Sequence, residues 1–167
     1  MTTFSGAFSG RPFRLDLEIT EGAPDIGANT SPVGWVLNIV QTGTQDSFRS
    51  DPSSWSVNID GQAWSGAFTY DFRSYNALQI GSGSATITHN PDGTKTASAS
   101  ASANGGSPIG TASASGSMAL TRIPRFGKRW DGTQEVAIAV AMRWDGTQEV
   151  PLSEIKRWDG TQEVRAA

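Results

Sequence analysis

The feature that most constrains this chain is the string RWDGTQEV, which occurs three times, at residues 129–136, 143–150 and 157–164. The copies recur every 14 residues. Tandem identity at a fixed period is typical of repeat architectures, in which one unit cannot bury its own apolar face. Each copy contains an Asp-Gly pair, which favours a two-residue type I′ turn between two strands. The tail is therefore predicted to form β-hairpins.

The turn type predicts the register of each hairpin. A two-residue turn at positions 131–132 places Trp130 opposite Thr133. An isolated two-stranded hairpin is at best marginally stable in water, so this tail needs a surface to pack on. The same register predicts two pairs of opposite charge, Lys128 with Glu135 and Lys156 with Glu163.

Residue types in the repeats identify candidate interaction positions. Tryptophan and arginine dominate the energetics of protein interfaces, and the aliphatic residues after the first copy alternate with alanines as in a strand. The tryptophans either form an aromatic ladder for a partner or a sugar, or pack on their own hairpin or a neighbouring chain; we favour packing. The candidates are Trp130, Trp144, Trp158, Arg129, Arg143, Arg157, Val136, Ile138 and Val140.

Residues 1–123 read as a succession of short strands. Asp60-Gly61 predicts a hairpin that places Ile59 opposite Gln62. Alanines alternate with serines from residue 97 to 103, which favours a strand over a disordered linker. We expect an all-β chain: an antiparallel immunoglobulin-like β-sandwich over 1–123, a hinge at 124–128, and a β-hairpin repeat tail over 129–167. In the sandwich hairpin, Val57 is also predicted to face Trp64.

Composition excludes several classes of protein. A net charge of −3 argues against a strongly basic nucleic-acid binder, and the absence of cysteine excludes disulfides and thiolate metal sites. The N-terminal MTTFSGAFSG lacks the basic and apolar regions of a signal peptide, and no apolar run approaches the ~18 residues of a membrane span. We therefore expect no signal peptide, no membrane insertion and no nucleic-acid partner.

No pattern of residues predicts catalysis. The single histidine, His89, precedes a turn and is expected to be a surface residue rather than a catalytic base. Asp16 and Glu18 are expected to be solvated charges on the polar face of one strand, although two carboxyl groups are also what a glycosidase needs. No loop has the ligand spacing of a calcium site, and no phosphate-binding motif is present. We expect neither enzymatic activity nor a cofactor or bound metal.

Two segments carry a family resemblance. DPSSWSVNIDGQAWSGAFTYDF and ITHNPDGTKTASASASANGG resemble the immunoglobulin-like domains of minor tail and tail-tip proteins of long-tailed (siphovirus) phages. The tail resembles the RWDG-type repeats near the C-termini of actinobacterial phage tail proteins, so the likeness covers most of residues 14–164. This resemblance implies a structural virion protein without catalytic residues.

Three hypotheses follow for function. In the first, the chain is a structural virion protein, made in the host cytoplasm, that forms a homotrimer through its repeats and contacts other virion proteins. Within it, a minor tail or tail-tip protein is expected, and a capsid decoration or head-fibre protein stays open. In the second, exposed aromatics and a Ser/Thr-rich sheet face bind a host cell-wall carbohydrate. A hydrolase is the third and least supported.

Overall fold

A computed structural model describes residues 1–43, 49–71, 76–107 and 109–124, together with six short strands between residues 128 and 165. Side chains are described for 1–43, 53–71, 76–107 and 109–124. Every regular element in this part of the chain is a strand. The first eight are β1 (Thr2–Ala7), β2 (Phe13–Glu21), β3 (Thr30–Gln41), β4 (Arg49–Ile59), β5 (Gln62–Asp71), β6 (Ala77–Thr88), β7 (Thr96–Asn104) and β8 (Thr111–Ala119).

These strands form two antiparallel four-stranded sheets, with orders β1-β2-β3-β6 and β5-β4-β7-β8. The chain passes from one sheet to the other after β3, β5 and β6. Buried side chains from both sheets form one hydrophobic cluster. The prediction of an all-β chain with two antiparallel sheets is confirmed.

Alternation of apolar and polar residues explains which side chains enter the core. On β2, Leu15, Leu17 and Ile19 are fully buried, and the residues between them belong to the outer face. Burying each such side chain contributes roughly 1.5–3 kcal/mol. The second sheet lies across from β2, and its strands β7 and β8 present small residues to the core. The buried alanines on these two strands are Ala97, Ala99, Ala101, Ala103, Ala112 and Ala114.

Three tryptophans pack together, with Trp35 in the core and Trp55 and Trp64 partly buried against it. The ring centroid of buried Trp35 lies 5.7 Å from that of Trp55 and 5.4 Å from that of Trp64. Glycines on β6 leave the space that two of these rings occupy: a Cβ on Gly81 would come within 2.8 Å of the Trp55 ring, and one on Gly83 within 2.8 Å of the Trp35 ring. The tryptophan rings therefore fit against β6 only because these two positions have no Cβ.

The sandwich hairpin at Asp60-Gly61 forms as predicted. Asp60 has φ 49° and Gly61 has φ 90°, as a turn with two left-handed residues requires. Ile59 pairs with Gln62, which confirms the predicted register. The predicted pairing of Val57 with Trp64 is confirmed as well.

The repeats form three further hairpins, each a separate two-stranded antiparallel sheet. The prediction that each copy forms a hairpin agrees with this arrangement. The strands are β9 (Lys128–Trp130), β10 (Glu135–Ala137), β11 (Met142–Trp144), β12 (Glu149–Pro151), β13 (Lys156–Trp158) and β14 (Glu163–Arg165). The continuous strand predicted through Ile138 and Val140 falls partly on residues 138–141, which lie outside the described residues.

The predicted register of the repeats is wrong. Trp130 pairs with Glu135 rather than with Thr133, because four residues rather than two separate the paired ends of the strands. This is a shift of two residues, and since side chains alternate with a period of two, it leaves every residue on the face it was expected to occupy. It changes the charge pairing: the observed pairs are Lys128 with Ala137 and Lys156 with Arg165.

Candidate functional site

The candidate residues of the tail occupy equivalent positions in the three hairpins. Each tryptophan ends the first strand of its hairpin and pairs with a glutamate, and each arginine pairs with a valine. The structure describes the side chain of none of the nine candidates. Ile138 and Val140 lie wholly outside the described residues. The repeated pairs are Trp130–Glu135, Trp144–Glu149 and Trp158–Glu163, and Arg129–Val136, Arg143–Val150 and Arg157–Val164.

The segment that leads from the sandwich to the tail, residues 120–123, is fixed to the sandwich, and we call it the exit segment. The Leu120 N–H donates to the Lys95 carbonyl at 2.9 Å, and the Ile123 N–H donates to the Gly93 carbonyl at 2.9 Å. The Ile123 side chain is only 1% exposed. The tail therefore leaves from a defined point at one end of the sandwich.

Glu21 holds this exit segment from the neighbouring strand end. Its carboxylate accepts the Thr121 N–H, at 3.1 Å to Oε1 and 2.9 Å to Oε2, and the Thr121 hydroxyl at 2.9 Å. Burial alone raises the pKa of Glu21, but hydrogen bonds from Thr121 and Ser31 and the electrostatic effect of His89 together lower that pKa below its usual value. The ionised carboxylate is thus the form that holds the exit segment.

His89 is buried, which corrects the expectation of a surface residue. Its side chain is 4% exposed, with Nε2 2.8 Å from the Ser31 hydroxyl and Nδ1 2.9 Å from the Gly93 carbonyl. A carbonyl only accepts hydrogen bonds, so Nδ1 carries a proton. Ser31 lies 58 residues away in sequence, on β3, and no local pattern brings the two residues together.

The Ser31–His89 pair has one distance typical of a catalytic nucleophile and its base, but its surroundings do not suit catalysis. Ser31 is 0% exposed, so its hydroxyl has no access to a substrate. A backbone carbonyl occupies the position at Nδ1 where a carboxylate orients the histidine of a serine hydrolase. The pair instead links the end of β6 to β3, next to the exit segment.

Asp16 is also buried, contrary to the prediction of a solvated charge. It is 5% exposed and accepts two hydrogen bonds from Arg14, each 2.7 Å long, and one from the Ser5 hydroxyl at 2.6 Å. Burial raises the pKa of Asp16, but the bonds from Arg14 and Ser5 and the charge of Arg14 together lower it below its usual value. A glycosidase acid needs the opposite shift, so Asp16 does not match that role.

The outer face of the second sheet is a shallow trough lined by small polar residues. Ser56, Ser65, Ser102 and Ser113 bring hydroxyls from all four strands, and the Ser56 and Ser102 hydroxyl oxygens are 2.8 Å apart. This is the Ser/Thr-rich face expected from the sequence. The aromatics among its lining residues, Trp55 and Trp64, are half-buried and pack against the core instead of being exposed as expected. Among the described side chains, the one exposed large hydrophobic residue is Met1.

Two further features bear on the kind of site this chain can hold. Among the described residues, no three His, Cys, Asp or Glu side chains cluster closely enough to bind a metal ion. Nor does that part of the chain contain a helix long and apolar enough to cross a membrane.

Comparison with known proteins identifies the family. Residues 1–145 match the family described as "Siphovirus protein of unknown function (DUF859)", a range that covers the sandwich, the first repeat and the start of the second. Neither the curated proteins nor the solved structures contain a significant match. The chain belongs to this family of siphovirus proteins, which confirms the predicted origin in a long-tailed phage.

Proposed function

We propose that this member of a siphovirus protein family is a structural protein of the phage particle, most specifically a minor tail or tail-tip protein. It displays a rigid sandwich and assembles through its C-terminal repeats. The observation that carries the proposal is the set of three hairpins with one shared register, none of which has strands enough to be stable alone. We expect no catalytic activity and no cofactor.

The strand order supports an immunoglobulin-like assignment for the sandwich. Strands β2-β3-β6 and β5-β4-β7-β8 follow the order A-B-E and C′-C-F-G, with β1 added at the edge beside β2. The chain changes sheets where that topology does. Without cysteines, the domain does not contain the disulfide that joins the sheets of antibody domains. Such sandwiches serve as display modules, which agrees with a position on the outside of a virion.

The proposed organisation is a sandwich over residues 1–123, a hinge over 124–128 and an assembly tail over 129–167. The anchored exit segment ends in the buried Ile123, and this is where we place the end of the sandwich. The partners are further copies of the chain, as a homotrimer, and other virion proteins. Closed symmetry of this kind suits a component on the axis of a tail.

Phage genetics tests the proposal directly. In one phage, residues 126–167 are deleted, and in a matched control they are replaced by a Gly/Ser sequence of equal length. We expect both variants to be absent from purified particles and the unaltered protein to be present, measured by quantitative mass spectrometry. Retention of either variant at the unaltered level contradicts assembly through the repeats. Immunogold labelling then separates a tail position from capsid decoration or a head fibre.

A host-adhesion module is the second candidate, and the uncharged hydroxyl-lined trough favours it. Such a surface offers donors and acceptors to the hydroxyls of a neutral glycan. We expect retention of the protein on host cell-wall material, and loss of that retention for Ser102→Arg, which places a charge in the trough. Ser117→Arg, on β8 outside the trough, is the matched control. No retention of the unaltered protein rejects this candidate.

A further inference from the structure

Sequence identity between the repeats is confined to eight of the 14 residues in each period. The eight residues RWDGTQEV are the same in all copies, but the connecting sequences, AIAVAM at 137–142 and PLSEIK at 151–156, are identical at no position. The repeated unit therefore consists of two cross-strand residue pairs of one hairpin and the four residues between them. Whatever the repeats bind, the shared requirement lies in the hairpin and not in its connections.

The cross-strand pairs also separate the repeated unit from its connections. The two inner pairs, Trp with Glu and Arg with Val, recur in every hairpin. The third pair changes from Lys128–Ala137 to Met142–Pro151 to Lys156–Arg165. Like charges directly opposite each other are destabilising, so this outer pair is not what holds the third hairpin together.

Each hairpin also stands apart from the next one along the chain. Among the described strands, those of one hairpin pair only with each other, and no strand joins two hairpins into a wider sheet. Each unit thus has two unpaired strand edges and too few strands to be stable by itself. Three equal units in one chain require three equal binding surfaces.

We infer that each hairpin binds the same hairpin of neighbouring copies of this chain, so that the assembly is built from three equivalent layers. This inference rests on the proposed function of the tail as an assembly segment, and it adds which hairpin of one copy meets which hairpin of the next. A foreign protein would have to offer three identical sites at matching intervals. A symmetric assembly offers them without any further condition, because every copy contributes the same hairpin to the same layer.

Charge within the unit is compatible with this partner. Every copy of RWDGTQEV carries one arginine, one aspartate and one glutamate, so a unit contains both signs of charge. Two copies can therefore meet with opposite charges together instead of repelling as blocks of one sign. The unit also carries one tryptophan and one arginine, the residue types that contribute most at interfaces.

Equivalent layers make a quantitative prediction. In repeat proteins, stability is approximately a sum over units and their nearest-neighbour contacts. If each layer contributes equally, the loss of any one hairpin weakens the assembly by the same factor, whichever hairpin is lost. The loss of two hairpins weakens it by the square of that factor.

The test uses the full chain with single units replaced by Gly/Ser sequences of equal length, at 129–136, 143–150 or 157–164, and all pairs of these. The control replaces residues 152–155, between the second and third units. Mass photometry over a dilution series gives the concentration at which half the assembly dissociates. We expect each single replacement to raise this concentration by a similar factor, on the order of tenfold or more, and each pair by its square. The control is expected to match the unaltered chain.

Two results overturn the inference: an unaltered chain that is monomeric at all concentrations, or a single unit whose replacement accounts for the whole effect. Thermal unfolding of the sandwich, followed by near-UV circular dichroism, verifies that each variant is folded. Trp144→Ala, a smaller change within the second unit, is expected to weaken the assembly in the same direction. Failure of the proposed function gives a different result. If the protein assembles in layers in solution but is absent from phage particles, the proposed function is wrong and the inference about the layers stands.

Discussion

The hairpin at Asp60-Gly61 and the hairpins of the repeats begin from the same dipeptide and differ in register. In the sandwich, the residues on either side of Asp-Gly pair directly, Ile59 with Gln62. In the first repeat, Asp131-Gly132 is followed by two more residues before pairing begins, so that Trp130 lies opposite Glu135. The dipeptide favours a turn in both places, but it does not determine which residues pair across the hairpin.

Tertiary contacts explain the difference. Ile59 is fully buried, the Asp60 N–H donates to the Ser98 carbonyl at 2.9 Å, and the Asp60 carboxylate lies 2.7 Å from Lys95 Nζ. A shift of β4 by two residues, the difference seen in the repeats, would keep Ile59 facing the core but would move Asp60 away from Ser98 and Lys95 and break both contacts. Among the described strands, those of the repeats belong to separate two-stranded sheets, and no third strand there constrains the register.

The largest expected effect comes from removing the core contact of the sandwich hairpin. Ile59→Ala deletes a fully buried side chain and is expected to lower the free energy of unfolding by about 2–5 kcal/mol, measured by urea denaturation. Val136→Ala, on strand β10 of the first repeat, is the matched change. It is expected to leave the unfolding of the sandwich within about 0.5 kcal/mol of the unaltered protein. Equal losses for the two variants would mean that the tail contributes to the core of the sandwich.

A change at the turn glycine comes next. Gly61 has φ 90°, a conformation that costs an L-residue roughly 1–2 kcal/mol, so Gly61→Ala is expected to destabilise the sandwich by about that amount. A Cβ at this position meets no atom within 4 Å, so backbone strain is the cause. Gly132→Ala is the control, with no change expected in the melting of the sandwich. A Gly61→Ala protein with unaltered melting temperature contradicts the strain.

The attachment of the exit segment to the sandwich through Glu21 is expected to depend on pH. The pKa of Glu21 is lower in the folded protein than its ordinary value of 4.5. Its contribution is therefore present above about pH 4.5 and is lost as the pH falls through the folded pKa. Glu21→Gln is expected to cost about 1 kcal/mol at pH 7, and the difference from the unaltered protein should shrink below pH 4. Urea denaturation at several pH values measures both, and a difference that stays constant down to pH 3 contradicts the role of the carboxylate.

The smallest expected effect isolates the ion pair at the sandwich turn. Asn tolerates the left-handed conformation that Asp60 adopts, so Asp60→Asn keeps the turn and removes the charge facing Lys95. Both side chains are partly exposed, and such pairs contribute about 0.2–1 kcal/mol, so we expect a loss of about 0.5 kcal/mol. Added salt should reduce this loss. A loss above 2 kcal/mol would show that Asp60 holds the turn by more than its charge.

Local patterns predict the strands of this molecule well and its buried polar contacts poorly. Alternation identifies β2 because Leu15, Leu17 and Ile19 all face one way, and this information lies within five adjacent positions. The burial of His89 depends on Ser31 and Gly93, which reach it through the pairing of β3 with β6 and the turn after β6. No pattern near His89 in the sequence contains that information.

The same limit applies to the candidate site. The three identical copies of RWDGTQEV identify the tail as a segment whose function depends on having several copies of one unit. The described strands place the repeated residues in equivalent cross-strand pairs. The Glu21–Thr121 contact spans 100 residues of sequence, and no local pattern near either residue predicts it. Polar contacts between distant elements emerge only when the sheets are assembled.

Assembly through the repeats is tested most directly by measuring the solution mass of two proteins by light scattering: the full chain and a version that ends at Arg125. We expect a multimer, with three copies as the proposed number, for the full chain and a folded monomer for the shortened version. This result places assembly in the repeats and leaves the sandwich as the displayed domain. If both proteins have the same number of chains per particle, whether one or three, the repeats do not assemble the chain.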